Sequence, residues 1–203
     1  MKSEIVIIGG GAAGIMAAIE VRKNGKEVIV LERKDRILKK VLVTGNGRCN
    51  ITNIRADILN YFSIGEGKEK IKGILDDFSP KNTMEFFENL GIVCNEEVKG
   101  KIYPLSGQAS SVVDALRFEA EKLGVKFITD FYVKKIEKDR FYFRVYSENK
   151  KVYPIKLYTK HELLAFGKVF FQNSLYILGL ILFYVSIFLI GKELFQTIDI
   201  PIL

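Results

Sequence analysis

The run Gly9-Gly-Gly-Ala-Ala-Gly14 directly follows the apolar stretch Glu4-Ile-Val-Ile-Ile8. Gly9 permits a tight turn out of a strand, and Gly11, lacking a side chain, leaves the backbone open to a pyrophosphate. Gly14 lets the following helix pack close to that strand. The N-terminus of that helix offers free N–H groups and partial positive charge to phosphates. Glu32 stands 18 residues after Gly14. From there its carboxylate can accept hydrogen bonds from both ribose hydroxyls of an adenosine, and it would repel a 2′-phosphate. The chemistry these residues suit is binding of FAD or NAD rather than NADP, with the redox step left to the cofactor; a glycine turn in an unrelated α/β fold is the competing reading.

A second stretch is rich in small and donor-bearing residues: Lys39-Lys-Val-Leu-Val-Thr-Gly-Asn-Gly-Arg-Cys-Asn-Ile-Thr-Asn53. Its backbone amides, with Thr44, Arg48 and Asn50, suit a phosphate or a flavin; a polar surface loop is the competing reading. Cys49 has no neighbouring histidine to activate it and reads as an inert thiol. His161 is the single histidine, which argues against a His-rich metal site or a Ser-His-Asp triad. Two cysteines without a CxxC pair argue against a disulfide scaffold and structural zinc, so no metal is expected.

Behind these residues the pattern is an α/β one. Glu4 to Ile8 and Glu27 to Glu32 read as buried parallel strands, and Ile15 to Lys23 as the Ala-rich helix between them, closed by Asn24-Gly25. Ile71 to Leu90 reads as helical with a break at Ser79-Pro80, where Ser79 or Asn82 starts a new helix and Gly91 ends it. Ile92 to Val98 and Lys101 to Tyr103 read as short strands around a Lys-Gly turn. Ser110 to Leu123 is an amphipathic helix followed by a strand at Val125 to Thr129. Tyr132 to Ile136, Arg140 to Tyr146 and Lys151 to Leu157 then suggest an antiparallel β-meander.

Thr44-Gly-Asn-Gly-Arg-Cys-Asn-Ile-Thr-Asn53, placed after a glycine-rich strand-turn-helix, is joined by Tyr103-Pro-Leu-Ser-Gly-Gln-Ala-Ser-Ser-Val-Val-Asp-Ala-Leu-Arg117. With these motifs the chain resembles the BaiN/YhiN-like family of NAD(P)/FAD-dependent flavoproteins from Ile5 to about Val152. The resemblance implies a glutathione-reductase-like, Rossmann-type FAD-binding domain. It implies FAD contacts from Gly9, Gly11, Ala12, Ala13, Gly14, Glu32, Arg33 and Lys40, and from Thr44, Gly45, Gly47, Arg48, Cys49 and Asn50. It also points to Val133, at the start of the meander, as a backbone contact of the adenine. The activity implied is that of an FAD-dependent oxidoreductase with NAD(P)H as electron donor, and some members are linked to reduction of unsaturated bile-acid-type intermediates. No catalytic residue can be named from the matched portion. The family pattern would continue into an Ala-Thr-Gly-Gly strand, a substrate domain and a C-terminal Gly-Asp segment. The match instead ends near Lys151-Val-Tyr153, so the fold class expected is α/β with an incomplete FAD-binding domain.

Residues 154–203 differ in kind. Ser174 to Gly191 reads SLYILGLILFYVSIFLIG, and no residue between Lys168 and Lys192 is charged. A bilayer core of about 30 Å needs about 20 such residues at about 1.5 Å each. Phe170, Phe171 and Tyr176 sit near one end, as interfacial aromatics would. Lys151, Lys156, Lys160 and Lys168 precede the run, which places the N-terminal side in the cytoplasm. The expected organisation is an FAD-binding domain over 1–153, a basic juxtamembrane segment over 154–168, one lipid-facing transmembrane helix over 169–191, and a short tail over 192–203. A core or aggregation-prone segment is the alternative, and the chain is then cytoplasmic.

The 203 residues carry a net charge of +7, with 48% hydrophobic and 27% charged residues, which excludes a disordered chain. The basic residues form no stripe or tail, so no nucleic-acid partner is expected. The partners expected are a small-molecule cofactor and membrane lipid. The function read from the sequence is an FAD-binding flavoprotein of the NAD(P)H-linked oxidoreductase kind without its usual substrate domain. Its alternatives are a non-catalytic nucleotide-binding membrane protein and an inactive truncated or frame-shifted fragment.

Overall fold

The structure, a computed structural model, describes residues 3–62, 67–138, 142–148 and 152–156. The expected transmembrane helix at 169–191, its flanking segments and His161 lie outside these residues. Among the described residues no helix is long and apolar enough to cross a membrane.

In chain order, β1 (Ile5–Ile8), α1 (Ala12–Lys23) and β2 (Val28–Leu31) are followed by short 3-10 turns over Val41–Gly47 and by β3 (Thr52–Asn53). Then come α2 (Gly67–Asp77), α3 (Pro80–Asn89), β4 (Cys94–Glu97), β5 (Lys101–Pro104) and α4 (Ala109–Lys122). The described chain ends with β6 (Lys126–Ile128), β7 (Val133–Lys138), β8 (Tyr142–Ser147) and β9 (Val152–Lys156). These elements divide into two compact units. One holds the chain up to Ile37 and again from Ala120; the other is Leu38–Glu119.

The first unit is built on a parallel sheet of order β1-β2-β6 and an antiparallel meander β7-β8-β9. β2 is buried along its whole length, as a central strand of Val, Ile and Leu should be. α1 buries every residue from Ala12 to Ile19. It starts three positions before the expected Ile15, because Gly11 takes an extended conformation and releases the chain into the helix at once. One apolar cluster, Val6, Ile29, Leu31, Phe131, Phe143 and Val145, joins the parallel sheet to the meander, with Val133 packed against it. Arg22 near the end of α1 donates from Nε to the carbonyl of Leu123 at 2.7 Å.

The second unit carries an antiparallel sheet of order β3-β5-β4. The expected helix break falls where Ser79 caps α3. Its hydroxyl accepts from the Asn82 amide while the Asn82 side chain accepts from the Ser79 amide, with Pro80 in the first turn. The expected Lys-Gly turn joins β4 to β5, with Lys99 and Gly100 both at positive φ.

Candidate functional site

In the first unit the strand–turn–helix motif takes the geometry its residue types suit. Gly9 has φ 105°, a region costly for other residues, and its amide donates to the Leu31 carbonyl at 2.7 Å. A Cβ on Gly14 would stand 1.9 Å from the Gly9 carbonyl oxygen, so the helix can approach the turn only because residue 14 has none. A Cβ on Gly11 would meet nothing within 4 Å. The backbone of Gly11 is thus exposed ahead of the first turn of α1, where Ala12 and Ala13 begin the helix. No side chain caps this turn, and the first helical amides have no acceptor inside the helix. The turn is an open cradle for an anion.

Glu32 follows β2 and is held by continued backbone pairing: its amide donates to Ile128 at 2.8 Å and its carbonyl accepts from Phe131 at 2.9 Å. Its carboxylate reaches the glycine turn. Oε2 accepts from the Gly10 amide at 2.7 Å, and Oε1 accepts from the Lys34 amide at 2.8 Å. Each oxygen keeps a further lone pair for a ribose hydroxyl. Gly10 is a participant that sequence reasoning misses. A Cβ there would lie 2.7 Å from the Ile37 side chain, so the position must stay small for Glu32 to close on it. Arg33 is exposed on the segment after Glu32. Val133 opens β7, half-buried against the cluster that contains Leu31, the residue before Glu32.

In the second unit, Lys40 is exposed, and the Thr44–Asn50 loop turns several side chains inward. Thr44 Oγ1 donates to the Val41 carbonyl at 2.7 Å. With its amide oriented to satisfy both groups, Asn50 donates to the carbonyls of Thr52 and Ile102 at 2.8 and 3.1 Å. Cys49 is fully buried at φ 62°, and burial pushes its thiol up to about 12. This agrees with its reading as inert. Gly45, at φ 55°, has the Asn50 amide nitrogen 2.5 Å from where a Cβ would be. Gly47 has open space at the same place.

Arg48 forms a bidentate pair with Glu97, at 2.8 and 2.9 Å, and lies 4.1 Å from the centre of the Tyr103 ring. That shared hydrogen bond holds the Glu97 carboxyl below its ordinary value and raises the Arg48 guanidinium. Glu97 and Tyr103 are therefore parts of the loop's environment that sequence reasoning does not assign to it. Both flank the Lys-Gly turn, Glu97 at the end of β4 and Tyr103 in β5, and only Tyr103 carries a further signal, as the first residue of the second family motif.

The parallel βαβ unit, the glycine cradle and the acid after β2 define a Rossmann-type FAD-binding α/β domain. Residues 3–167 match the HI0933-like protein Rossmann domain, and the chain belongs to that family. A 3-dehydro-bile acid delta(4,6)-reductase of Clostridium scindens is 43% identical over 137 residues, which cover 66% of this chain and 33% of that protein. A ribosomal RNA dihydrouridine synthase of Haemophilus influenzae is 31% identical over 136 residues, 67% of this chain and 33% of the relative. The chain thus spans about a third of the length of these curated relatives.

Among solved structures, the 3-ketosteroid-delta4-(5alpha)-dehydrogenase of Rhodococcus jostii matches with a TM-score of 0.60 at 16% identity. The match covers 80% of this chain and 45% of that one, and it shows a shared fold.

Proposed function

We propose that this chain binds FAD and forms the dinucleotide-binding part of an NAD(P)H-linked oxidoreductase. The observation that carries the reading is the glycine cradle, open above Gly11 and closed beneath by Gly14 against Gly9. The residues fit the cofactor's ADP half. The amides of Gly11, Ala12 and Ala13 would hold the pyrophosphate, Glu32 the ribose, and the backbone at Val133 the adenine. Arg33, Lys40 and the backbone of the Thr44–Asn50 loop are the further contacts proposed from the family resemblance. Glu32 also sets cofactor choice, since its charge at the ribose disfavours a 2′-phosphate. The flavin, when bound, supplies the hydride chemistry.

Relatives named for a bile acid and for ribosomal RNA match this chain over stretches of nearly equal length. That likeness supports cofactor binding as the shared property and leaves substrate choice to other parts of those proteins. For the apolar run at 169–191 the proposal is a single membrane span with the N-terminal side cytoplasmic, supported by the uncharged stretch and the lysines before it.

The purified 203-residue chain should carry a flavin absorbance band or acquire one on addition of FAD. Gly11→Val should abolish it with no more than the small fall in melting temperature of a poorer helix cap, because a Cβ there meets no atom within 4 Å and the side chain occupies the cofactor's approach. Retained FAD binding in that variant would overturn the site. Oxidation of NAD(P)H by the FAD-loaded protein tests the oxidoreductase reading; FAD retained without such turnover leaves binding alone. Resistance to alkaline carbonate extraction from membranes tests the span.

A further inference from the structure

Residues 45–49 hold a concentration of left-handed backbone: Gly45 at φ 55°, Asn46 at 57°, Gly47 at 82° and Cys49 at 62°. Asparagine tolerates this region, but a buried cysteine adopts it only when its surroundings hold it there. The exception in this run is Arg48, at φ −102°. Its side chain leaves the loop to bond both oxygens of Glu97. Tyr103 completes the arrangement. Its ring stacks on the Arg48 guanidinium, and its Cε1 would be 3.1 Å from a Cβ on Gly45. One aromatic ring thus backs the loop at two points.

We propose that Glu97 and Tyr103 are positioning residues that clamp Arg48 and so pre-organise the backbone of residues 44–50 for the cofactor. Arg48 acts as the lock of the loop and not as a ligand of the cofactor. The inference rests on the FAD-binding reading for its functional consequence, and on the geometry within the second unit for the clamp itself. A guanidinium already paired bidentately with a carboxylate presents little net charge to a phosphate. Reaching a phosphate would mean giving up both the pair and the stack. A loop fixed in advance, by contrast, binds with less ordering cost, so the benefit of the pair appears as affinity at the loop's backbone.

The test compares the wild-type 203-residue chain with Glu97→Gln, Arg48→Glu and the exchange Arg48→Glu/Glu97→Arg. Each protein is read two ways: FAD affinity by flavin fluorescence, and hydrogen exchange of residues 44–50 without FAD. Glu97→Gln is expected to weaken FAD binding about tenfold, a coupling of the usual size for such pairs, and to speed exchange in the loop. Arg48→Glu should do at least as much. The double variant restores the pair but not the Tyr103 stack, so it should recover part of the slow exchange and a matching part of the affinity, because the pairing matters and not the sign at position 48.

Unchanged exchange in Glu97→Gln would overturn the clamp, and faster exchange at unchanged affinity would overturn its role in binding. Restored exchange without restored affinity in the double variant would make Arg48 a direct ligand and overturn the lock. If the double variant does not fold, Glu97→Asp replaces it, with intermediate exchange and intermediate affinity expected together; affinity lost at wild-type exchange overturns the proposal. A wild-type chain that binds no FAD refutes the functional reading alone, and the exchange contrast still decides the clamp.

Discussion

Gly14 in the first unit lies against the Gly9 carbonyl, and Gly45 in the second lies against the Asn50 amide. Both are glycines because a neighbouring backbone occupies the place of a side chain, yet the two segments reach that state differently. Around Gly14 the contacts come from the turn itself and from the strand it leaves. The cradle is set by backbone pairing of β1 and β2 and by the helix after the turn. Around Gly45 the path of the loop depends on Arg48 meeting Glu97, 49 residues further on, and on the Tyr103 ring. The difference is between a site made by secondary structure and one made by side chains that arrive from elsewhere in the chain. A site of the first kind keeps its fold when its open face is changed, whatever that does to binding; one of the second kind is sensitive at residues that touch no ligand.

Substitutions at the glycines probe that division directly. The largest effect is expected from Gly14→Val, which drives a side chain into the Gly9 carbonyl and should cost about 3 kcal/mol or more in chemical unfolding. Unfolding of Gly14→Val at the wild-type denaturant concentration would mean the cradle yields more easily than its geometry implies. Gly45→Ala comes next. It combines positive φ with a contact at 2.5 Å, and a loss of about 2 kcal/mol is expected in the same assay.

The third effect is one of pH. The folded Cys49 thiol is raised from 9.0 to about 12, so the unfolded chain ionises first. The contribution is complete below pH 9 and is lost as the pH rises towards about 12. The slope is up to about 1.4 kcal/mol per pH step. Cys49→Ala should flatten it in a series of denaturation curves. Part of the slope should remain, because burial also pushes Cys94 up to about 11.

Gly47→Ala separates strain from collision in the same loop. It shares the positive φ of Gly45 but meets no atom within 4 Å. A loss of about 1 kcal/mol is expected, clearly below that of Gly45→Ala. Equal losses at the two positions would show that the loop's cost is all conformational. The smallest stability change belongs to Gly11→Ala, in open space at φ −78°. Its unfolding free energy should stay within about 0.5 kcal/mol of wild type.

Legibility in the sequence follows the same division. The order strand, glycine turn, helix, strand, acid is readable because each step uses residues within a few positions of one another. The Ser79 cap, the Lys-Gly turn between β4 and β5 and the three meander strands are readable for the same reason. The start of α1 reads three residues late, since a glycine cap leaves no side-chain signal to mark it. Gly10 carries no signal because the motif treats that position as free. Only the folded chain brings Ile37 and the Glu32 carboxylate to it. Thr44, Arg48 and Asn50 read as groups facing a ligand, and their partners Val41, Glu97, Thr52 and Ile102 cannot all be paired with them from spacing.

The elements and the local turn chemistry of this protein are written in the order of its residues, because a tight turn, a helix cap or a strand run needs only neighbours along the chain. Which residues share a unit, and which charges meet, is settled by packing alone. Arg48 and Glu97 are 49 residues apart, and their pairing needs β4 to be brought beside the loop by the β3-β5-β4 sheet. No local preference encodes that meeting, since many acids along the chain would satisfy one guanidinium, and only the packed backbone selects among them.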